Sequence, residues 1–250
     1  MKNKYNMGVV SVSFRKHAPE EIIKAAKEAG LSCIEWGSDV HAPCDNTERL
    51  LKIVGLQKKY DIVCSSYGTY FRLGETPLGE LDGYIKAAEI LGTDILRLWC
   101  GAKSGAEYSN EEREALFEEC RQAEQIARTA GVTLCLECHK MTFTERLSDA
   151  LELMESINSP YFRMYWQPFQ WKSIDENLVY AEKIAPFVRC IHVFNWKERD
   201  RFSLSLGIEE WREYLKRFPS KPTLLLEFMP DDIISSLACE AEALRTIIGE

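Results

Sequence analysis

The chain has 250 residues, of which 46% are hydrophobic and 28% charged, and its formal net charge is −8. This length and composition exclude a disordered chain and allow one α/β barrel with a sizeable core. The acidic balance disfavours sequence-independent binding to nucleic acid or to an anionic membrane, because both need clustered lysine and arginine.

Strand-like and helix-like patterns alternate along the whole chain. The short apolar runs lie at 7–14, 32–37, 61–68, 94–101, 132–139, 162–168, 188–196 and 223–230. The helical patterns lie at 19–30, 46–60, 78–92, 109–130, from 142, from 173, 206–218 and 231–249. Eight such units predict one (β/α)₈ TIM barrel, an α/β fold forming a single domain over 1–250. A doubly wound open sheet is the structural alternative.

Local signals mark several helix ends. Proline and glycine are typical of a helix start and a helix end, and a serine or threonine followed three residues later by glutamate is typical of a capping box. These signals are Pro19 and Gly30 for the first helix, Ser109 with Glu112, Thr142 with Glu145, Ser173 with Glu176, and the pair Asp231 and Asp232 before the last helix.

The cellular setting follows from the N-terminus and the cysteines. The first apolar run is interrupted by two serines and lacks a small-residue cleavage site, so we interpret it as a strand and not as a signal peptide. No run approaches the length of a membrane span. The nine cysteines are scattered without CxxC pairs, which is typical of buried free thiols in a reducing compartment. We expect a cytoplasmic protein that does not bind membranes.

Chemistry in such barrels gathers where the strands end. The polar and aromatic side chains at these positions are Glu35, Trp36, Arg97, Trp99, Glu137, His139, Trp166, Gln167, His192, Trp196 and Glu227. Glu137 and Glu227 end the apolar runs "TLCLE" and "TLLLE", and burying either carboxylate without a partner would cost several kcal/mol. The partner could be Arg97, His192 or a metal ion. The tryptophans could stack on a sugar or simply pack the core.

Several common catalytic motifs are absent. The sequence has no GxSxG, no HExxH and no glycine-rich phosphate loop, so we expect no nucleotide cofactor. The stretch "EFMPDD" after the last strand would repel phosphate, which favours an unphosphorylated substrate.

The chain resembles the sugar-phosphate isomerase/epimerase family, the xylose-isomerase-like TIM barrels, over its full length. The resemblance rests on "LCLECH", "YWQPFQ", "RCIHVFNW", "SLGIEEW" and "LLLEF". Many members bind one divalent ion through a Glu, an Asp, a His and a Glu from strands five to eight. The resemblance puts those ligands at Glu137, Gln167, His192 and Glu227, with Gln167 in the place of the aspartate. We expect Mn²⁺ or Mg²⁺ to bind there more weakly, because an amide oxygen is neutral.

The resemblance implies a sugar isomerase or epimerase that transfers a proton next to a carbonyl. Glu137 would remove the proton and Glu227 would return it. The residues expected to bind the small sugar or sugar-like substrate are Glu35, Trp36, Arg97, Trp99, His139, Trp166, Gln170 and Trp196. The alternative is a metal-free sugar-binding or dehydratase/lyase-type protein on the same barrel.

A DNA-repair endonuclease also shares this barrel. That class needs a multi-metal cluster with several histidines, whereas this acidic chain has four histidines in all. We therefore expect no nucleic acid partner. A homo-oligomer stays open.

Overall fold

The molecule is a closed barrel of eight parallel strands surrounded by helices. In the computed structural model, which describes residues 5–249, strands β1 to β8 are Met7–Val10, Cys33–Gly37, Val63–Leu73, Ile95–Cys100, Thr133–Glu137, Phe162–Trp166, Val188–Val193 and Thr223–Leu226. Helices α1 to α8 are Pro19–Glu28, Thr47–Tyr60, Leu81–Leu91, Asn110–Thr129, Leu147–Ile157, Ile174–Ile184, Ile208–Leu215 and Leu237–Ile248. Strand β1 pairs with both β2 and β8, and this closes the sheet. The predicted (β/α)₈ architecture is confirmed, and the open-sheet alternative is wrong.

Several of the predicted helix signals act as expected. Pro19 opens α1, and Gly30 beyond its end has a φ of 71°, a conformation that favours glycine. The Ser109 hydroxyl accepts a hydrogen bond from the backbone N–H of Glu112, whose carboxylate accepts one from the N–H of Ser109. Ser173 caps α6 in the same reciprocal way. These caps satisfy backbone donors that a helix start leaves free.

The capping box predicted at Thr142 is wrong, and α5 begins five residues later, at Leu147. The Thr142 hydroxyl donates to the carbonyl oxygen of His139 at 2.7 Å and is therefore engaged away from the helix. The Glu145 carboxylate accepts instead from the backbone N–H of Met141 at 2.8 Å. The segment between β5 and α5 thus forms an ordered loop above the barrel mouth.

Two other predicted boundaries shift. Strand β7 ends at Val193, and the chain then forms a separate antiparallel ribbon between Trp196–Lys197 and Asp200–Arg201. Helix α8 begins only at Leu237, and Asp231 accepts hydrogen bonds from Ile233 and Ser236 within the preceding loop. Among residues 5–249, no helix has both the length and the apolar character needed to cross a bilayer.

Alternation along the strands separates the barrel interior from the layer under the helices. The buried floor of the interior includes Cys33, Ile95, Cys135, Tyr165, Cys190 and Leu225. The residues between the floor and the mouth pack outward in the larger core; they include Ile34, Leu96, Leu136, Trp166, Ile191 and Leu226. Each floor residue is followed, two positions later, by a polar side chain. The period of two therefore stacks a polar layer on an apolar floor at the carboxyl end of the barrel.

Candidate active site

Six polar side chains form this layer, and each comes from a different strand or from the residue just beyond it. They are Glu35, Arg97, Glu137, Gln167, His192 and Glu227, and all are buried. Three carboxylates in one enclosed layer would repel one another and lose their hydration. The layer therefore needs positive charge, and Arg97 and His192 lie where they can supply it.

Arg97 joins two of the carboxylates. Its Nε donates to Glu35 Oε1 at 2.8 Å, and its Nη1 donates to Glu137 Oε2 at 2.6 Å. The indole N–H of Trp99 donates to the same Glu137 oxygen at 2.7 Å. A Cβ atom at Gly68 would lie 2.6 Å from Glu35 Oε1 and 2.7 Å from Arg97 Nη2. Position 68 therefore has to be glycine for this ion pair to form.

The Arg97 contacts control the ionisation of both carboxylates. Burial by itself raises the pKa of Glu35, but Arg97 and then His192 outweigh burial and lower that pKa to about 2. The same balance, with Arg97 as the main opposing charge, holds the pKa of Glu137 well below its usual range. Both groups are therefore carboxylates at neutral pH.

Three side-chain oxygen atoms converge around one nitrogen of His192. Its Nδ1 lies 3.1 Å from Gln167 Oε1, 3.5 Å from Glu137 Oε1 and 3.5 Å from Glu227 Oε2. The side-chain amide of Gln167 also donates, through Nε2, to the carbonyl oxygen of Cys138 at 3.2 Å. This second bond orients the amide so that its oxygen points toward His192.

The arrangement fits a divalent cation. Glu137, His192 and Glu227 offer ligand atoms that all lie within 4.8 Å of one another, and the oxygen of Gln167 adds a fourth. Ligands at about 2.1 Å from one ion lie about 3.0 to 3.4 Å apart, which is close to the distances around His192 Nδ1. The other ring nitrogen, Nε2, has no hydrogen-bond partner but lies 3.5 Å from Glu35 Oε2. A carboxylate behind the histidine is the usual support for a metal ligand.

Glu227 differs from the other two carboxylates. Its side chain accepts no hydrogen bond from any described residue, and burial raises its pKa against the opposing charge of His192. Burial would lower the pKa of His192, but Glu227 and Glu35 outweigh it and raise that pKa to about 10. Glu227 is thus the carboxylate that most readily accepts or releases a proton.

Two of the predicted substrate contacts are wrong. Trp36 follows Glu35, so alternation turns its ring outward, and its indole N–H donates to Gln57 on α2. Trp166 follows the inward-facing Tyr165 and packs among aromatic residues of the α7 region, with its ring centroid 5.2 Å from that of Tyr214. Both rings are completely buried on the helix side of the strands, so neither lines the barrel interior where a substrate would bind.

Glu35 and Arg97 also lie deeper than we expected. Glu35 is fully enclosed, and its second oxygen accepts from the Ser66 hydroxyl at 3.1 Å. Arg97 is 4% exposed and engaged on both sides. Both residues support Glu137 and His192 from below, and their direct contact with a substrate stays a prediction.

The remaining predicted residues lie higher, at the mouth. The Trp99 ring is 5.3 Å from the His139 ring, which is partly exposed. Trp196 stacks on Phe228 with ring centroids 5.2 Å apart. Gln170 contacts the ribbon through its carbonyl oxygen, which accepts from a backbone N–H at 3.2 Å, and its side chain makes no hydrogen bond within residues 5–249.

Sequence reasoning missed the far end of β3. We expected this strand to stop at residue 68, but it continues to Leu73 and carries Tyr70 and Arg72 into the site region. A signal was present, because "TYFRL" contains β-branched and aromatic residues that favour strands, and Thr69, Phe71 and Leu73 alternate with the more polar Tyr70 and Arg72.

Comparison with known proteins agrees with the fold. A 3-dehydroshikimate dehydratase from Bacillus anthracis is 22% identical over 208 residues, which are 79% of this chain and 73% of the relative. The crystal structure of the probable 3-DHS dehydratase AsbF from Bacillus anthracis superposes with a TM-score of 0.80 at 17% identity, covering 96% of this chain and 98% of that one.

Two further solved structures share the barrel. D-psicose 3-epimerase with D-tagatose, from Clostridium cellulolyticum H10, has a TM-score of 0.71 at 12% identity and covers 97% of this chain and 98% of its own. A xylose isomerase-like TIM barrel protein from Mycobacterium smegmatis in complex with magnesium has a TM-score of 0.70 at 13% identity and covers 98% and 97%. At such identities the likeness shows the fold alone. The family model of the xylose isomerase-like TIM barrel matches residues 23–246, and this chain therefore belongs to that family.

Proposed function

We propose that this protein is a dehydratase, which removes a proton beside the carbonyl of a small hydroxy-carbonyl compound and expels a neighbouring hydroxyl as water. The observation that carries the proposal is the contrast between the carboxylates. Glu137 is pinned and ionised by Arg97 and Trp99, whereas Glu227 accepts no hydrogen bond from the described residues and has a raised pKa. Carboxylates whose pKa values are pushed apart commonly divide the work of acid–base catalysis.

Glu227 is the proton carrier in this mechanism. Its carboxylate accepts the proton from the carbon, the electrons of the broken C–H bond form a carbon–carbon double bond, and the hydroxyl leaves. The protonated Glu227 then gives the proton to the departing hydroxyl, so that one water is released and the enzyme is regenerated. This assigns proton removal to Glu227, where the sequence assigned it to Glu137.

The other residues of the polar layer hold the reacting groups in place. Glu137 keeps Oε1 facing His192 because Arg97 and Trp99 occupy Oε2. Glu137, Gln167, His192 and Glu227 would hold a divalent ion, which when bound supplies a Lewis acid that polarises the carbonyl. The similarity to a dehydratase in sequence and in structure supports elimination as the outcome.

Isomerisation or epimerisation of a sugar is the second candidate. It requires two groups that can exchange protons with the substrate, and Glu137 Oε1 and Glu227 Oε2 each lie 3.5 Å from the same histidine nitrogen. The structural likeness to a D-psicose 3-epimerase supports this candidate.

The test is an activity panel with metal-supplemented protein. Dehydration of 3-dehydroshikimate creates a conjugated product that is followed by ultraviolet absorbance, and epimerisation of ketohexoses in D₂O is followed by deuterium incorporation. We expect dehydration by the wild type and a loss of about 100-fold or more in Glu227→Gln. Glu198→Gln, an exposed carboxylate in the ribbon at the same end of the barrel, is the matched control and should keep full activity. Deuterium exchange without dehydration would favour the epimerase, and neither signal from the wild type would overturn both candidates.

A further inference from the structure

Arg72, at the carboxyl end of β3, is separated from Glu137 by the side chain of Trp99. It is paired in register with Trp99 of β4, and its guanidinium carbon lies 4.6 Å from the Trp99 ring centroid. The indole N–H of Trp99 in turn contacts Glu137 at 2.7 Å. A ligand group bound by Arg72 would therefore lie next to the reacting part of the site.

Arg72 has no carboxylate partner. Its Nη1 donates to the carbonyl oxygens of Gly101 at 2.5 Å and Met141 at 3.4 Å. Within residues 5–249, no carboxylate oxygen lies within 4.0 Å of its nitrogens, and Nε and Nη2 make no hydrogen bond. Neither nitrogen is sealed from solvent. Arg72 thus offers unused donors at the barrel mouth.

Three other arginines around the mouth show the contrast, whereas Arg199, which also has no carboxylate partner among residues 5–249, is exposed and keeps its hydration. Arg15 pairs with Asp39 at 2.6 Å, Arg97 pairs with Glu35 and Glu137, and Arg201 pairs with Asp232. A partly buried guanidinium loses hydration, and proteins normally compensate it with a carboxylate. At Arg72 this compensation is missing, although the two carbonyls and the indole hold the guanidinium in a fixed orientation.

We propose that Arg72 binds a carboxylate of the substrate and makes the site selective for a small hydroxy-carbonyl acid over a neutral sugar. This inference rests on the proposed function and narrows its substrate class. The planar guanidinium presents Nε–H and Nη2–H side by side, which matches the two oxygens of a carboxylate. Carboxylate is the better match than phosphate, because a phosphate dianion would add repulsion beside Glu137 and Glu227.

The similarity to the dehydratase is consistent with this substrate class. The substrate in that protein's name, 3-dehydroshikimate, carries a hydroxyl beside its ketone and one carboxylate. Arg72 was selected by its contacts, however, and the test does not depend on turnover.

The experiment measures binding of a matched pair of unreactive ligands by calorimetry. Shikimate has the carboxylate but no ketone, and its methyl ester lacks the charge. We expect the wild type to bind shikimate about 10-fold or more tightly than the ester, because a hydrogen bond to a charged group contributes at least that factor. In Arg72→Gln the ratio should fall to about 1. Arg199→Gln changes an exposed arginine in the ribbon whose side chain has no hydrogen bond or ion pair within residues 5–249, and it should keep the wild-type ratio.

Each other outcome decides against the proposal. Equal binding of acid and ester by the wild type, or no binding of either, overturns it, as does an unchanged ratio in Arg72→Gln. Displacement of shikimate by inorganic phosphate at lower concentration than by acetate would assign the site to phosphate. If Arg72→Gln does not fold, Arg72→Lys keeps the charge but loses the planar fork, and its ratio should drop several-fold; an unchanged ratio refutes the assignment. If the protein shows no dehydratase activity, these binding ratios can still hold. The test of the proposed function and the test of Arg72 can therefore fail independently.

Discussion

Replacing Arg97 by methionine removes the cation between two buried carboxylates. Arg97 contacts Glu35 at 2.8 Å and Glu137 at 2.6 Å, and the three side chains are each 5% exposed or less. Methionine has a similar length but no charge and no donor. Both carboxylates would then remain in the barrel interior without the group that compensates them.

The cost is large because the charges cannot reach water. Removing one partner of a buried ion pair typically costs about 3–5 kcal/mol. Glu137 would keep its bond from Trp99, and Glu35 would keep its bond from Ser66, so neither carboxylate becomes fully unpaired. We therefore expect the free energy of unfolding at about pH 8 to fall by the lower end of that range, about 3 kcal/mol.

The deficit should depend on pH in a defined direction. In the wild type the pKa values of Glu35 and Glu137 are lowered in the folded protein, so their stabilisation is present above the ordinary glutamate pKa and is lost only in strong acid. In Arg97→Met, His192 is the main group that still opposes the effect of burial, and we expect the pKa values of both carboxylates to rise above the unfolded value. Protonation then relieves the folded variant as the pH falls toward about 4.5, and the difference from wild type shrinks.

Urea unfolding at about pH 8 and about pH 4.5 measures this difference, followed by tryptophan fluorescence. Arg121→Met removes an exposed ion pair with Glu118 on α4 and serves as the control, with no measurable change expected at either pH. A deficit below about 1 kcal/mol, or one of equal size at both pH values, would refute the assignment of Arg97 as the internal counter-ion.

Three further outcomes are expected. Gln167→Glu should raise Mn²⁺ affinity by about 10-fold or more in calorimetry, because it adds a negative charge among the metal-ligand atoms. The same substitution should lower the metal-free free energy of unfolding by about 1–3 kcal/mol, because it removes the hydrogen bond to the Cys138 carbonyl oxygen. Gln170→Glu is the control, and an equal gain there would show that the effect is only long-range charge. Trp166→Phe should lower the free energy of unfolding by about 1–3 kcal/mol in urea without changing ligand affinity, since the ring packs under α7; weaker ligand binding would contradict its outward position. Ser173→Ala should cost about 1 kcal/mol in the same assay through loss of the α6 cap, and an unchanged midpoint would speak against the capping box.

The arrangement of strands and helices could be predicted from the sequence, because its causes are local. A buried parallel strand needs a short apolar run, and a helix start needs a side-chain acceptor for its free N–H groups. Ser109 and Ser173 carry that information within four residues, and their capping boxes are confirmed. Thr142 carries the same pattern, but its hydroxyl donates to the carbonyl oxygen of His139, three residues earlier, and the geometry of the loop decides between this bond and a helix cap.

Strand alternation is a local rule, but it has consequences for the site. It explains why Glu137 and Arg97 face inward, and the same rule, applied to the residues next to Glu35 and Tyr165, turns Trp36 and Trp166 outward. The two tryptophans were assigned to the substrate because they stand at strand ends. Position along the chain indicates a strand end, but the direction of the side chain decides whether the ring can reach a substrate.

The charge balance of the site was decided only by the tertiary structure. Arg97 contacts Glu35 across 62 residues of sequence and Glu137 across 40, and His192 lies 25 residues from Gln167. The distances between strands that meet only when the barrel closes decide which carboxylates pair with Arg97. They also decide which carboxylate is left with a raised pKa. Arg72 lacks a carboxylate partner for the same reason. Whether any carboxylate of residues 5–249 lies near its guanidinium depends on where all the neighbouring strands and loops are placed. Local patterns specify the elements, since their energies come from adjacent residues, whereas electrostatic energies inside the barrel depend on the complete three-dimensional arrangement.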